Sequence, residues 1–342
     1  MKKKNIFLLA ALAGLLFAGC NKTPDVSLAL PAERTPESNG EENCTLRIRV
    51  QSPDTKTALA QTDDNAITNL QVLVFRENGS LDIYAQADGD ELTLQCTSGN
   101  RDVFAFVNTT SLSDIRTTGE LGTVTFNLED SSPTALPMYG HINQPIDIYT
   151  SVLSIDVYRM VCKIILKEVV INLPDSYSDA LLDIRRVFIS NAVSGIKLDS
   201  TITRWANKIS YNGEIPTMLS DDEPNPGDWE MSTTDSQTLN RVFYAFANDT
   251  ASDSQSATWS PRFTRLVLQC SISNDAGPLG YSPCYYPVPL PDLKANHCYI
   301  INRYTVGRGG LQNPYDDPTL LDNSLEIIVK PWDQTHQIEE NL

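Results

Sequence analysis

From Cys44 onward the chain is written in alternation. Cys44, Leu46, Ile48 and Val50 fall on one face and Arg47 and Arg49 on the other, the period of two expected of a half-buried strand. Residues 67–75 are apolar on both faces, which predicts a central strand. Asn78-Gly79 predicts a type I′ hairpin turn, and Leu81, Ile83 and Ala85 alternate on the return. Leu92, Leu94 and Cys96 share a face, and Val103–Val107 reads as another buried strand. Tyr158, Met160, Cys162, Ile164 and Leu166 face one way, with Arg159, Lys163 and Lys167 opposite. Later strands are predicted at Arg185–Ser190, Arg241–Ala247, Arg262–Ser271, Tyr299–Val306 and Leu325–Val329.

No window of about a dozen residues after residue 20 carries a 3.6-residue apolar stripe. Short helices are expected only in the loops around Ser111–Arg116 and Ser178–Leu182. The octapeptide Arg101–Asn108 (RDVFAFVN) echoes Arg241–Asn248 (RVFYAFAN), with Arg, Ala, Phe and Asn in register. About 300 folded residues exceed what one sandwich holds. The pattern therefore predicts an all-β chain of two tandem β-sandwich domains, residues 44–152 and 153–342, the second enlarged by the polar stretch Asp221–Ser236.

The first twenty residues follow another rule. Lys2, Lys3 and Lys4 precede an apolar run from Ile6 to Phe17, then Ala18-Gly19-Cys20. A basic start, a run too short to span a bilayer and small residues before a cysteine describe a lipoprotein signal peptide over residues 1–19, with Cys20 as the lipidated residue. An ordinary cleaved signal with an incidental cysteine is the alternative. Residues 20–43 contain Pro24, Pro31 and Pro36 among Glu, Asn, Ser and Thr, a composition suited to a flexible tether. No later segment reaches the roughly 18 apolar residues of a spanning helix. The expected location is the cell outer membrane and cell surface, reached through lipid.

Charge narrows the partners. The 26 Lys and Arg stand against 43 Asp and Glu, a net charge of −17. Loss of residues 1–19 removes three lysines and no acid, which makes it −20. Such a surface repels phosphate backbones, so nucleic acid is excluded as a partner.

Chemistry-bearing motifs are sparse. His141, His297 and His336 are far apart, and His141 is expected in a turn at the surface. No His-Glu-x-x-His, Gly-x-Ser-x-Gly or phosphate-cradling glycine loop occurs. The acidic runs Asp88–Glu91 and Asn313–Asp317 lack the twelve-residue calcium-loop pattern. No catalytic residue, metal site or cofactor is assigned, and the chain reads as a non-enzyme. Six cysteines remain after Cys20. Cys44, Cys96, Cys162 and Cys270 lie on the apolar sides of their strands, where a thiol packs as a small hydrophobe. Cys44 with Cys96 and Cys284 with Cys298 are the disulfides to test.

Several segments resemble one family. They are Ile67–Phe75 followed by Glu77-Asn78-Gly79, Gly99-Asn100-Arg101 leading into Phe104–Asn108, and a Met-x-Gly turn in Leu136–Gly140. Tyr158–Ile164, Asn296–Asn302 and Val329-Lys330-Pro331-Trp332 complete the set. In this order, after a lipobox and an acidic spacer, they are similar to the fimbrillins of the type V pilus system of Gram-negative anaerobes. The resemblance implies two transthyretin-like, Greek-key sandwiches and a structural role as a fimbrial subunit.

It also implies a mechanism. A trypsin-like protease cuts the exported precursor beyond its first strand, and a strand from the next subunit fills the exposed groove. Here the displaced strand is Leu46, Ile48 and Val50, and the processing position is Lys56-Thr57. Arg34, Arg47 and Arg49 are alternatives, the last two inside the strand. Losing that strand exposes about 300–400 Å² of core, roughly 8–10 kcal/mol at about 25 cal/mol/Å². The candidate donor tail after Trp332 offers only Ile338 and Leu342, with Glu340 between them, which suits a tip, accessory or anchor subunit better than a stalk. Expected partners are other fimbrial subunits by β-strand addition, the outer membrane through the precursor's lipid, and a host protein or glycan ligand. The rival reading is a glycan-binding surface lipoprotein, with Trp205, Trp229, Trp259 and Trp332 as its aromatic platform.

Overall fold

In a computed structural model the described residues are 41–51, 66–175, 181–206, 230–231, 236–253, 260–273, 282–307, 310–312 and 324–331. The alternation at Cys44 becomes strand β1, Asn43–Gln51, whose burial alternates without a break. The doubly apolar stretch becomes β2, Asn69–Arg76, followed by β3, Leu81–Asp88; β4, Glu91–Thr97; and β5, Gly99–Val107. A single helical turn α1, Thr118–Leu121, leads to β6, Thr125–Asn127, then β7, Met138–Ile146; β8, Val152–Asp156; and β9, Tyr158–Arg159.

These strands make two sheets. One has the order β4-β1-β8, the other β3-β2-β5-β7-β9. Their inner faces share one core, in which Leu46, Ile48 and Val50 meet Leu70, Val72, Val74, Val103 and Val107. Strand β2 is apolar on both sides because it serves two cores. Leu73 and Phe75 point the other way, into a second cluster with Phe106, Leu121, Phe126, Val193 and Phe246. Offset rings knit that cluster, with the centroids of Phe106 and Phe126 5.7 Å apart.

The remaining strands are β10, Val161–Ile171; β11, Leu181–Ser190; β12, Ala192–Lys197; β13, Ile202–Ala206; and β14, Glu230–Met231. They continue as β15, Ser236–Phe246; β16, Thr264–Ser273; β17, Ser282–Leu290; β18, His297–Val306; and β19, Ser324–Pro331. A sheet β13-β12-β15-β10-β18-β19, to which β6 adds through β12, faces a sheet β14-β11-β16-β17. Cys162, Ile164, Val187, Leu268, Tyr286 and Ile301 are among the buried residues between them. The chain is all-β, as the alternation predicts. The octapeptide echo falls on β5 and β15, each ending near a buried asparagine that staples neighbouring chain. Asn108 accepts from Thr68 and donates to the Ala66 and Leu136 carbonyls, and Asn248 donates to the Arg262 carbonyl and Thr264 hydroxyl.

Local expectations needed correction. The hairpin after β2 forms where Asn78-Gly79 marks it, but Gly79 has φ +80° while Asn78 stays at negative φ. The Gly79 amide donates to the Arg76 carbonyl and the Arg76 amide to the Ser80 carbonyl. This is a three-residue loop with glycine in the left-handed position rather than a type I′ turn. Asn78 supports it by accepting from the Ser80 amide and hydroxyl. The helical turn starts at Thr118, after the stretch expected to hold it, with Thr117 accepting from the Glu120 amide as its cap. Leu182 belongs to strand β11. Strand β8 crosses the expected 152/153 boundary and pairs with β1.

The Met-x-Gly segment is no turn. Met138 and Gly140 lie inside β7, and a Cβ on Gly140 would sit 2.2 Å from the Asp156 carbonyl oxygen and 2.8 Å from Ile155 Cγ2. Glycine is required there because β8 passes directly over it. His141 likewise sits in β7, stacked on Phe104 at 4.2 Å with Nε2 3.0 Å from Asp102. Gly140→Ala is expected to push β8 off β7 and lower stability by about 1–3 kcal/mol, the usual range for overpacking. Denaturant midpoints of the two proteins measure this, and an unchanged midpoint would refute the close approach.

Candidate functional site: strand β1 and the groove it fills

Strand β1 is the middle strand of its sheet. It runs antiparallel to β4, with Cys44 opposite Cys96, Leu46 opposite Leu94 and Ile48 opposite Leu92. On its other edge it runs parallel to β8, with Ile48 beside Leu153 and Val50 beside Ile155. Strands β4 and β8 do not bond to each other. Every second side chain of β1 enters the core: Cys44 is 3% exposed, Leu46 and Ile48 0%, and Val50 1%. Removing β1 would open a slot with four apolar seats and unpaired backbone on both sides.

The polar face of β1 contributes register rather than strength. Arg47 pairs with Glu91 at 2.5 Å and Arg49 lies 4.0 Å from Asp90. Both arginine side chains are more than half exposed, so each pair is worth only a fraction of a kcal/mol, about 0.2–1. Backbone bonds hold the strand ends. The Val50 amide donates to the Asp90 carbonyl at 2.9 Å, the Arg47 amide to the Ser151 carbonyl at 3.0 Å, and the Val157 amide to the Gln51 carbonyl at 3.1 Å. Gln51 Nε2 donates to Asp156 at 2.7 Å.

The start of β1 is held by a buried ion cluster that sequence reading missed. Arg101, 2% exposed, donates to Glu41 at 2.9 Å, to the Thr97 carbonyl at 3.1 Å and to the Asn100 carbonyl at 2.9 Å. Asp82 lies 3.6 Å from Arg101, pairs closely with Arg76 and accepts from the Thr97 amide at 2.6 Å. Glu41 thus ties the residue ahead of β1 to β2, β3 and β5, while the Glu42 amide donates to Ser98. Arg101 in an otherwise apolar strand was the available signal. A lone arginine there needs a buried partner.

The sequence-derived site residues divide cleanly. Leu46, Ile48 and Val50 are brought together on the inner face of β1, and Arg47 and Arg49 lie within that strand on its outer face. Cys20, Arg34, Lys56, Thr57, Ile338 and Leu342 lie outside the described residues. Cys96 faces Cys44 as expected, whereas Cys284 faces Cys270 across β16 and β17. Cys298 stands in the other sheet, on β18 beside β10, so the expected Cys284–Cys298 pairing is not the one the strands bring together. Among the described residues the six cysteines are buried and carry no disulfide. Trp205 packs against the aromatic cluster rather than forming a platform; Trp229, Trp259 and Trp332 lie outside the described residues. Among the described residues no three His, Cys, Asp or Glu side chains converge as metal ligands.

This geometry has a family counterpart. Residues 44–150, the segment containing β1 and its groove, match the family model of the major fimbrial subunit protein, FimA. Over this segment the chain is similar to the fimbrillins. A fimbrilin of Porphyromonas gingivalis has a similar fold, with a TM-score of 0.59 at 17% identity over 84% of this chain and 97% of that one. A cell adhesion protein of Bacteroides eggerthii gives 0.60 at 16% identity, covering 85% and 96%. One from Parabacteroides distasonis gives 0.60 at 16%, covering 86% and 100%. No curated protein sequence matches the chain. At these identities the solved structures speak to the fold, and the likeness to fimbrillins rests on the match over residues 44–150.

Burial alone would raise the Glu41 carboxyl, but hydrogen bonds from Arg101 and Thr97 and the charges of Arg101 and Arg76 hold it below its ordinary value of 4.5. A carboxylate depressed in the fold contributes stability above its unfolded value and loses it as pH falls through the folded one. The start of β1 is therefore expected to loosen as pH falls below that ordinary value of 4.5. Protection factors of the Cys44 and Leu46 amides, taken relative to intrinsic exchange at each pH, should fall there in the wild-type protein. In Glu41→Gln they should be lower already at pH 7, with little further change on acidification.

Proposed function

We propose that this fimbrial subunit is exported as a lipoprotein acylated on Cys20, and that it assembles by losing β1 and accepting a strand from a neighbour. One observation carries the reading: β1 is the central strand of its sheet, with four buried side chains, and is the first strand of the described chain. Lys56 is the only basic residue between Arg49 and Arg76, so a trypsin-like protease acting between β1 and β2 has one place to cut, before Thr57. A cut at Arg47 or Arg49 would first need the strand to leave its backbone bonds. The body is organised as a tether over 20–43, one sandwich over 44–152 and a second over 153–342, with β8 crossing the boundary between them.

The incoming strand must run antiparallel to β4 and parallel to β8 and carry apolar side chains at alternate positions. This chain's own tail fits such a groove poorly. Ile338 and Leu342 fill two seats, while Glu340 between them would put a carboxylate where β1 has residues at 0% exposure. Burying an unpaired charge costs several kcal/mol. The reading is of a tip or accessory subunit, with outer-membrane anchoring limited to the precursor and a host protein or glycan as its adhesive ligand.

The N-terminus of the protein on the native cell surface tests this. Intact-mass analysis is expected to find Thr57 as the first residue of the assembled form, and Lys56→Gln to leave acylated Cys20 as the terminus and abolish incorporation into fibres. An assembled wild-type protein that keeps Cys20 would overturn the proposal.

A further inference from the structure

We infer that Cys44 and Cys96 form a covalent cross-link site, a cross-strand disulfide that fastens β1 to β4 and must be opened before β1 can leave. The inference rests on the reading of β1 as the displaced strand, and adds a second bond to the peptide bond already assigned to processing.

Pairing geometry carries it. Cys44 and Cys96 are direct Cα partners across β1 and β4. The Ser98 amide donates to the Glu42 carbonyl and the Val50 amide to the Asp90 carbonyl. In the same register these bonds make Cys44 and Cys96 a hydrogen-bonded pair, since such pairs recur at every second residue. Their Cα atoms then stand about 5.5 Å apart, inside the roughly 4.4–6.8 Å that a disulfide spans. Both side chains point into the same core and both are 3% exposed. The Cys44 thiol contacts the Glu42 carbonyl at 3.6 Å, a weak interaction that a disulfide gives up easily.

The chemistry balances with an oxidant of the extracytoplasmic space, a protein disulfide. Two S–H bonds break and one S–S bond forms, while two electrons and two protons pass to the acceptor, which becomes a dithiol. Burial pushes both thiols up, Cys96 to about 11. The attacking thiolate is therefore scarce once β1 is docked, and the bond closes while β1 is still settling onto β4. By the same protection it resists casual reduction afterwards.

The position of the pair gives the bond its effect. After a cut following Lys56, the fragment bearing β1 and the lipidated Cys20 would be held to the body by backbone bonds, packing and this one disulfide. Cleavage alone would then neither open the groove nor free the subunit from the membrane. A dithiol protein exchanging with Cys44–Cys96, which leaves two thiols here and becomes a disulfide itself, would do both. The other facing pair, Cys270 and Cys284, joins β16 to β17 within one hairpin and does not bear on β1.

The experiment uses full-length protein recovered from native membranes, alkylated with N-ethylmaleimide in denaturant without reductant, digested and mapped by mass. The expected result is a joined peptide pair containing Cys44 and Cys96 that separates on reduction. In trypsin-nicked protein the N-terminal fragment should stay attached on a non-reducing denaturing gel and be lost on a reducing one. Maleimide on both cysteines would overturn the inference and leave the displaced-strand reading intact. Conversely, a joined pair together with a nicked C44A/C96A protein that never accepts an added β1 peptide would uphold the cross-link and sink the displaced-strand reading. Peptide mapping needs no variant, so it decides the cross-link even if C44A/C96A folds poorly.

Discussion

The two-sided pairing of β1 is the constraint on which the rest of the molecule depends. An edge strand that leaves a sheet exposes one row of backbone groups, which water can satisfy. A middle strand that leaves exposes two rows facing each other across a strand-wide gap, about 9–10 Å at the usual spacing. Strands β4 and β8 cannot close that gap by sliding together, because β8 is pinned over Gly140 of β7 and β4 continues directly into β5 through Ser98. The slot keeps its shape. Its mixed pairing, antiparallel on one side and parallel on the other, also dictates the direction in which any occupant must run.

The fold is arranged so that the body can outlast β1. The sheet β3-β2-β5-β7-β9 makes all its backbone bonds without that strand. Its outer face is sealed by the aromatic cluster around Phe75, Phe106 and Phe126, which β1 does not touch. What β1 supplies is one side of one core. The cost of removing it is thus local exposure of apolar surface rather than loss of the whole domain, and that exposure is what favours a replacement. The ion cluster at Glu41, Arg76, Asp82 and Arg101 divides along the same line. On the proposed processing, Arg76, Asp82 and Arg101 would remain in the body with each other, and Glu41 alone would depart.

Much of this was legible in the sequence, and the failures share a cause. Period-two alternation found β1 and β4 because each has one wet face, and apolar runs marked β2 and β5 because two cores leave few polar positions. Fimbrillin-like segments were recognised in order. What could not be read is what depends on a second strand. The role of Gly140 belongs to β8 passing over it, so the motif looked like a turn. The loop at Asn78-Gly79 was placed correctly, but its length follows from the pairing of β2 with β3. The partners of Cys284 depend on which sheet β17 joins, and spacing along the chain favoured the wrong one. Arg101 was visible as an anomaly, yet its partner Glu41 lies 60 residues upstream.

Charge explains why register must carry the specificity of assembly. A chain with a net charge of −17 is repelled by its own copies, and at physiological salt that repulsion fades beyond about 8 Å. Subunits can therefore approach, but no broad complementary surface draws them together. On the proposed assembly, attraction would begin only when a strand enters the slot, where main-chain bonds would form along both edges and apolar side chains would find the four seats vacated by Cys44, Leu46, Ile48 and Val50. A donor displaced by one residue would turn its polar face into a core in which those positions are 0–3% exposed. A carboxylate at any seat imposes the same penalty without a shift. Discrimination among donor strands thus follows from burial alone, which makes the alternation of a neighbour's strand, more than its net charge, the feature that decides whether it can join.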